Sequence, residues 1–166
     1  MRFFDVVARW PGSEHDSLIF QSSSLCVRLE DGQLDGILVG DKGYRSHRFL
    51  VTPVRDPTTV AEERYNVSHA KARNVMERAF WKVKRRFPCL HKVLALKLET
   101  SARVVTTCFV LHNIGIQEAD IADFPEDDNA ADDPVDDVPP PPEPRERDAA
   151  EGLAFRQALI ARHFSW

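Results

Sequence analysis

Three carboxylates, Asp16, Asp41 and Glu77, stand where chemistry is often done, each beside the end or on the flank of a regular element. Asp16 follows a strand-like run and the turn Pro11-Gly12, and falls in the first turn of an expected helix. Asp41 follows the apolar run Gly36 to Val39 and lies between Gly40 and Gly43. In α/β sheets, ligands and catalytic groups collect beyond the carboxyl ends of strands. Glu77 sits on a long basic helix beside Met76, among cations suited to gripping phosphate. Oxygen ligands drawn from separate elements suit Mg²⁺ or Mn²⁺. Two such ions could activate a water and stabilise the leaving oxygen of a phosphodiester. Each acid also has a plain alternative. Asp16 could simply face a helix dipole, Asp41 could belong to a structural strand–turn, and Glu77 could pair with Arg73 four residues earlier, worth ~0.2–0.5 kcal/mol.

The elements that must position these acids follow from periodicity. Phe3 to Ala8 (FFDVVA) is aromatic and β-branched, and predicts a strand. Ser13 or Asp16 could cap a single helix running through Leu18, Phe20, Leu25, Val27 and Leu29. Gly36 to Val39 and Phe49 to Pro53 predict two buried strands. The longest helix spans Val60 to Phe87, with Thr58 or Thr59 and Glu62 as its capping box and Pro88 as its stop. Ala72, Met76, Ala79, Phe80, Val83 and Phe87 form its apolar stripe. Off that stripe lie Arg64, Lys71, Arg73, Arg78, Lys82, Lys84, Arg85 and Arg86. Leu90 to Leu98 reads as an extended connector, and Thr100 or Ser101 as the cap of a helix from Ala102 to Glu118. The pair His112-Asn113 inside it could serve a site, or the histidine could be a satisfied interior residue.

Composition bounds the partners. The formal charge of −4 conceals a basic body, +5 over residues 1–118, and an acidic remainder, −9 over 119–166. Such a body suits nucleic acid. Residues 119–148, rich in Asp and with Pro139 to Pro142 in a row, read as a disordered linker. Residues 149–166 regain helical spacing through Leu153, Phe155, Leu159, Ile160 and Phe164, a helix expected to dock on the body or a partner. Cys26, Cys89 and Cys108 form no CxxC pair, which points to a reducing compartment. The apolar stretch Val104 to Ile116 is too short to span a bilayer and no secretory leader is visible, so a soluble protein is expected.

Four ordered blocks, WPGSEHDS (Trp10 to Ser17), LVGDKGYRSHRFLVTPV (Leu38 to Val54), ERYNVSHAKARNVMERAFWKVKRRFPCL (Glu63 to Leu90) and CFVLHNI (Cys108 to Ile114), together resemble the PIF/Harbinger transposase family and its domesticated nuclease members. RQALIARHFS (Arg156 to Ser165) resembles the end of those proteins. The resemblance implies an α/β, RNase H-like fold, a mixed sheet with flanking helices, over residues 1–118, and DDE-type cleavage of DNA with Mg²⁺ or Mn²⁺. It implies that Asp41 and Glu77 are the second and third catalytic acids and Asp16 a further metal-binding carboxylate. Lys42, Tyr44, Arg73 and Arg78 would support them, and Arg73, Arg78, Lys82, Lys84, Arg85 and Arg86 would hold DNA. A nuclear location, with the cytoplasm open as well, a Myb-like protein partner and a homodimer are implied too. The family's first catalytic Asp lies on a strand before the first block, so amino-terminal strands and that acid are expected to be missing here; Asp5 does not take its place. The alternative expectation is a non-catalytic DNA- or protein-binding remnant.

Overall fold

A computed structural model describes residues 1–10, 14–118 and 146–166; the linker expected at 119–148, apart from 146–148, the turn expected at Pro11-Gly12 and the candidate cap Ser13 lie outside them. The described chain is mostly helical with one small sheet. Its order is α1 (Asp16–Gln21), α2 (Ser24–Glu30), β1 (Leu38–Val39), β2 (Leu50–Val51), α3 (Val60–Arg86), a 3₁₀ turn (Pro88–His91), α4 (Leu98–Gln117) and α5 (Glu146–His163). Two compact units divide these elements. One contains residues 1–10, 14 and 75–118, and the other residues 15–74 and 146–166.

In the second unit, β1 and β2 pair in parallel with Leu38 opposite Leu50 and Val39 opposite Val51. Both expected strands are therefore present, though each contributes only two residues to the ladder. A wider mixed sheet is not seen among the described residues. Beneath the sheet, Cys26, Leu29, Phe49 and Leu50 form a core, with Phe20, Leu25, Leu34, Leu38 and Tyr44 packed around it. The single helix expected from Asp16 to Leu29 is broken in two. Ser23 is the reason: its hydroxyl donates to the Phe20 carbonyl at 2.6 Å and accepts from the Cys26 N–H at 3.1 Å, closing α1 and capping α2.

The start of α3 is the expected capping box. Thr59 Oγ1 accepts from the Glu62 N–H, and Glu62 Oε2 accepts from the N–H groups of Thr58 and Thr59. Those backbone donors draw the Glu62 carboxyl down to about 2. The buried face of α3 differs from the expected stripe. Ala72, Met76 and Phe80 are exposed, whereas Tyr65, His69, Ala79 and Val83 are buried. Counting apolar residues missed Tyr65 and His69, which are buried because their polar atoms bond strand carbonyls.

α5 packs against β2 and the loop before it. The buried Gly152 lies so near the Ser46 and His47 backbone that an added Cβ would stand 2.0 Å from the Ser46 carbonyl oxygen. Ile160 is buried, and Phe164 meets the Tyr65 ring edge-on at 5.7 Å. The expectation that this helix docks on the body holds within this unit. It starts at Glu146, earlier than position 149.

In the first unit, Phe3 to Ala8 is not a strand. Its backbone meets a side chain in place of a neighbouring strand. Asn113 Oδ1 accepts from the Phe3 N–H at 2.9 Å, and its Nδ2 donates to the Phe3 carbonyl at 2.7 Å. One amide thus supplies both bonds of a strand partner for one residue, too few to start a ladder. The Phe3 ring packs on Phe80, Phe109 and His112. His112 is buried, the position of an interior histidine. Asn113→Ala should therefore free the amino-terminal segment and cost about 1–3 kcal/mol, read by thermal melting and by faster amide exchange at Phe3. α4 begins at Leu98, before the predicted Thr100 or Ser101 cap; Glu99 opens its first turn and pairs with Arg103 at 2.7 Å.

Candidate functional site

Where β1 ends, the chain must turn sharply past β2. Gly40 donates its N–H to the Val51 carbonyl at 2.9 Å, and a Cβ there would meet Leu50 at 2.9 Å and Tyr44 at 3.1 Å. A larger residue there would have to shift the buried Leu50 side chain and the base of Tyr44. Asp41 follows, and its carboxylate closes the turn by accepting from the Gly43 N–H at 2.8 Å through Oδ1. Its Oδ2 receives Arg73 Nη1 from α3 at 3.2 Å, with both side chains about one-third exposed.

Asp16, from the first turn of α1, comes close enough for its charge to be felt. Surrounding packing first, and then the like charge of Asp41, push the Asp16 carboxyl above its ordinary range, with His15 opposing. Tyr44 lies among the same groups. Burial, then Asp16 and Asp41, push its hydroxyl up to about 12 against the opposing pull of Arg73. Its ring sits edge-on to Phe20, which holds the phenol over the core. Beyond the carboxyl end of β1 the second unit brings Arg73 to Asp41, and the charges of Asp16 and Asp41 act on Tyr44. Lys42 is exposed, and its carbonyl accepts from Arg55 at 3.5 Å.

Two residues that sequence reasoning passed over hold this corner in place. Tyr65 donates its hydroxyl to the Thr52 carbonyl at 2.9 Å, and His69 Nε2 stands 3.3 Å from the Val51 carbonyl. Tyr65, His69 and Arg73 recur every four residues, so one face of α3 runs along the strand ends. That spacing was the available signal. Asn66, on the next face, clasps Val54 with bonds of 2.9 Å to its N–H and its carbonyl. From α5, Arg156 Nη1 donates to the Pro53 carbonyl at 3.0 Å and to Thr52 at 3.2 and 3.3 Å.

Burial holds the His69 imidazole below its usual range, although the Val51 and Gly40 carbonyls pull the other way. The folded form therefore binds fewer protons than the unfolded chain near the ordinary histidine value. Its contribution to stability is complete above about pH 6.5 and is lost as the pH falls toward the depressed folded value. His69→Gln, which keeps a donor for Val51, should flatten the fall in melting temperature between pH 7 and pH 5. An unchanged slope would exclude His69 as its source.

Glu77 and the remaining cations belong to the first unit. Glu77, Arg78, Lys84 and Arg85 are exposed, and Lys82 and Arg86 half-buried. The Arg85 guanidinium lies over the Trp81 ring at 4.9 Å, and that of Arg86 packs where a Gly115 side chain would stand. Lys84, Arg85 and Arg86 also fill the last turn of α3, where cations complement the helix dipole. Among the described residues no group of three or more His, Cys, Asp or Glu stands ready to hold a metal ion. Asp16 and Asp41 carry oxygen donors of the kind Mg²⁺ and Mn²⁺ prefer, and the charge of Asp41 reaches Asp16. No helix of the described residues is long and apolar enough to cross a membrane.

Comparison with known proteins adds a family to this geometry. Residues 1–113 match the DDE superfamily endonuclease family. The chain is 34% identical over 167 residues to "Putative nuclease HARBI1" of Rattus norvegicus, covering 96% of this chain and 46% of that protein. The Homo sapiens protein of the same name is 37% identical over 116 residues, covering 68% and 33%. "Protein ALP1-like" of Arabidopsis thaliana is 29% identical over 136 residues, covering 72% and 34%. The chain spans under half the length of each of these relatives. No solved structure matches it.

Proposed function

Because this chain belongs to the DDE superfamily endonuclease family, we propose that it forms part of a divalent-metal-dependent nuclease that hydrolyses DNA phosphodiester bonds. The observation that supports the reading is the placement of Asp41 just past the end of β1, with one carboxylate oxygen fixed by the Gly43 N–H and the other paired with Arg73. Asp41 and Glu77 are the catalytic acids in this proposal, with Asp16 as a further metal-binding carboxylate. An RNase H-like arrangement of the whole nuclease domain belongs to the same proposal.

Within the second unit, Asp16 and Asp41 would hold Mg²⁺ or Mn²⁺. When bound there, such an ion would supply activation of a water and stabilisation of charge on the leaving oxygen. The protein's own groups do the rest. The Gly43 N–H fixes one oxygen of Asp41, and Arg73 balances the charge on the other. Tyr44, kept protonated by its surroundings, remains a hydrogen-bond donor beside both aspartates. Arg78, Lys82, Lys84, Arg85 and Arg86 take the DNA phosphates by charge, a binding mode that weakens steeply with salt. A nuclear location, a homodimer and a Myb-like protein partner are carried as parts of this reading.

The test is nicking of supercoiled plasmid by the protein with Mn²⁺. Nicking that disappears in Asp41→Ala and in Glu77→Ala supports the nuclease. Absence of nicking, together with salt-sensitive DNA binding that survives both changes but weakens in Arg85→Ala/Arg86→Ala, replaces it with a DNA-binding module.

A further inference from the structure

Cys89 and Cys108 are nineteen positions apart, and nothing in their local sequence relates them. The fold brings their Sγ atoms to 4.0 Å. Cys89 stands exposed in the 3₁₀ turn Pro88–His91, and Cys108 is buried on α4. Both lie in the first unit. The third thiol, Cys26, is buried in the other unit and faces Glu30 Oε1 at 3.6 Å.

We propose that Cys89 and Cys108 form a reversible dithiol–disulfide site that is oxidised by hydroperoxides. A disulfide needs its sulfurs at about 2.05 Å, so the pair must close by about 2 Å. Cys89 can supply that movement, since it is exposed and sits in a single turn of 3₁₀ helix with Pro88 at its start. An exposed thiol beside a buried one also assigns the two roles. Cys89 meets the oxidant, and Cys108 resolves the product.

The chemistry balances without any other reagent. The Cys89 sulfur attacks one oxygen of hydrogen peroxide; an S–O bond forms, the O–O bond breaks, and water leaves. Cys89 is then a sulfenic acid. The Cys108 sulfur attacks it; an S–S bond forms, the S–O bond breaks, and a second water leaves with the Cys108 proton. Two thiols lose two electrons and one peroxide gains them.

The closed loop would join the segment directly behind Arg86 to α4. A crosslink closing a loop of about 20 residues constrains the unfolded chain, so oxidation should raise the melting temperature by roughly 5–10 °C. The protein is treated with hydrogen peroxide under native conditions, alkylated with N-ethylmaleimide, digested with trypsin without reduction, and analysed by mass spectrometry. The expected product is the peptide FPCLHK, residues 87–92, joined to the peptide that begins at Val104. It should disappear on adding dithiothreitol and in Cys89→Ser, an exposed change that leaves the fold intact, and persist in Cys26→Ser. The proposal is overturned if Cys89 is found only as a mono-oxidised or intermolecularly linked thiol, if the joined peptides form only in denaturant, or if the melting temperature does not rise.

Discussion

Asp41→Asn is expected to weaken Mn²⁺ binding by about tenfold to a hundredfold and to lower any metal-dependent nicking on the order of a hundredfold, while the fold survives. Asparagine keeps an acceptor for the Gly43 N–H, so the turn that closes at 2.8 Å remains. What is lost is the ion pair with Arg73. That pair is about one-third exposed and so is worth at most ~1 kcal/mol. Relief of the like charge on Asp16 offsets part of it. Stability should therefore move little, and metal affinity a great deal. Arg73→Gln should act with the opposite sign. A cation beside Asp41 competes with a bound metal, and its removal should tighten Mn²⁺ binding about fivefold, the equivalent of ~1 kcal/mol after screening. Titration calorimetry with Mn²⁺ reads both variants. Unchanged affinity in Asp41→Asn would remove Asp41 from the ligand set. Weakened affinity in Arg73→Gln would show that the arginine builds the site and does not compete for it.

That this corner exists was partly visible in the sequence. β1 and β2 announced themselves as short apolar runs, and Asp41 as the acid just past one of them, because strand, glycine and turn are set by neighbouring residues. α3 was legible for the same reason, down to the reciprocal bonds of Thr59 and Glu62. That the charge of Asp41 would reach Asp16 was not. It depends on how α1 packs, and α1 itself ends where Ser23 bonds Phe20 and Cys26 rather than continuing a helix. Tyr65 and His69 escaped because a polar side chain is buried once it finds a carbonyl, and no periodicity of apolar residues reports that. Phe3 failed as a strand for a related reason. Its bonding partner is the Asn113 side chain, 110 positions away. Local chemistry fixes elements, and distant hydrogen bonds decide which of their polar residues go inside.

The same logic makes Gly152 the residue whose replacement should harm the fold most. Gly152→Val should lower the melting temperature by about 5–10 °C and release α5. The nearest atoms to an added Cβ are the Ser46 carbonyl oxygen at 2.0 Å, the Ser46 carbonyl carbon at 2.3 Å and the His47 nitrogen at 2.7 Å. All are backbone, so no side-chain rotation can make room. The helix itself must withdraw. Overpacking of this kind costs about 1–3 kcal/mol. Withdrawal also exposes Ile160, parts Phe164 from Tyr65, and takes Arg156 from the carbonyls of Thr52 and Pro53. Those carbonyls follow β2 directly, so loss of α5 should loosen the strand whose neighbour carries Asp41. Limited trypsin digestion should then cut after Arg156 and Arg162 many times faster than in the parent. Ala154→Val, on an exposed position of the same helix, imposes the same β-branched penalty without the clash and should leave α5 in place. Equal loss in both variants would mean that helix propensity, and not the close approach at Ser46, holds α5 to the sheet.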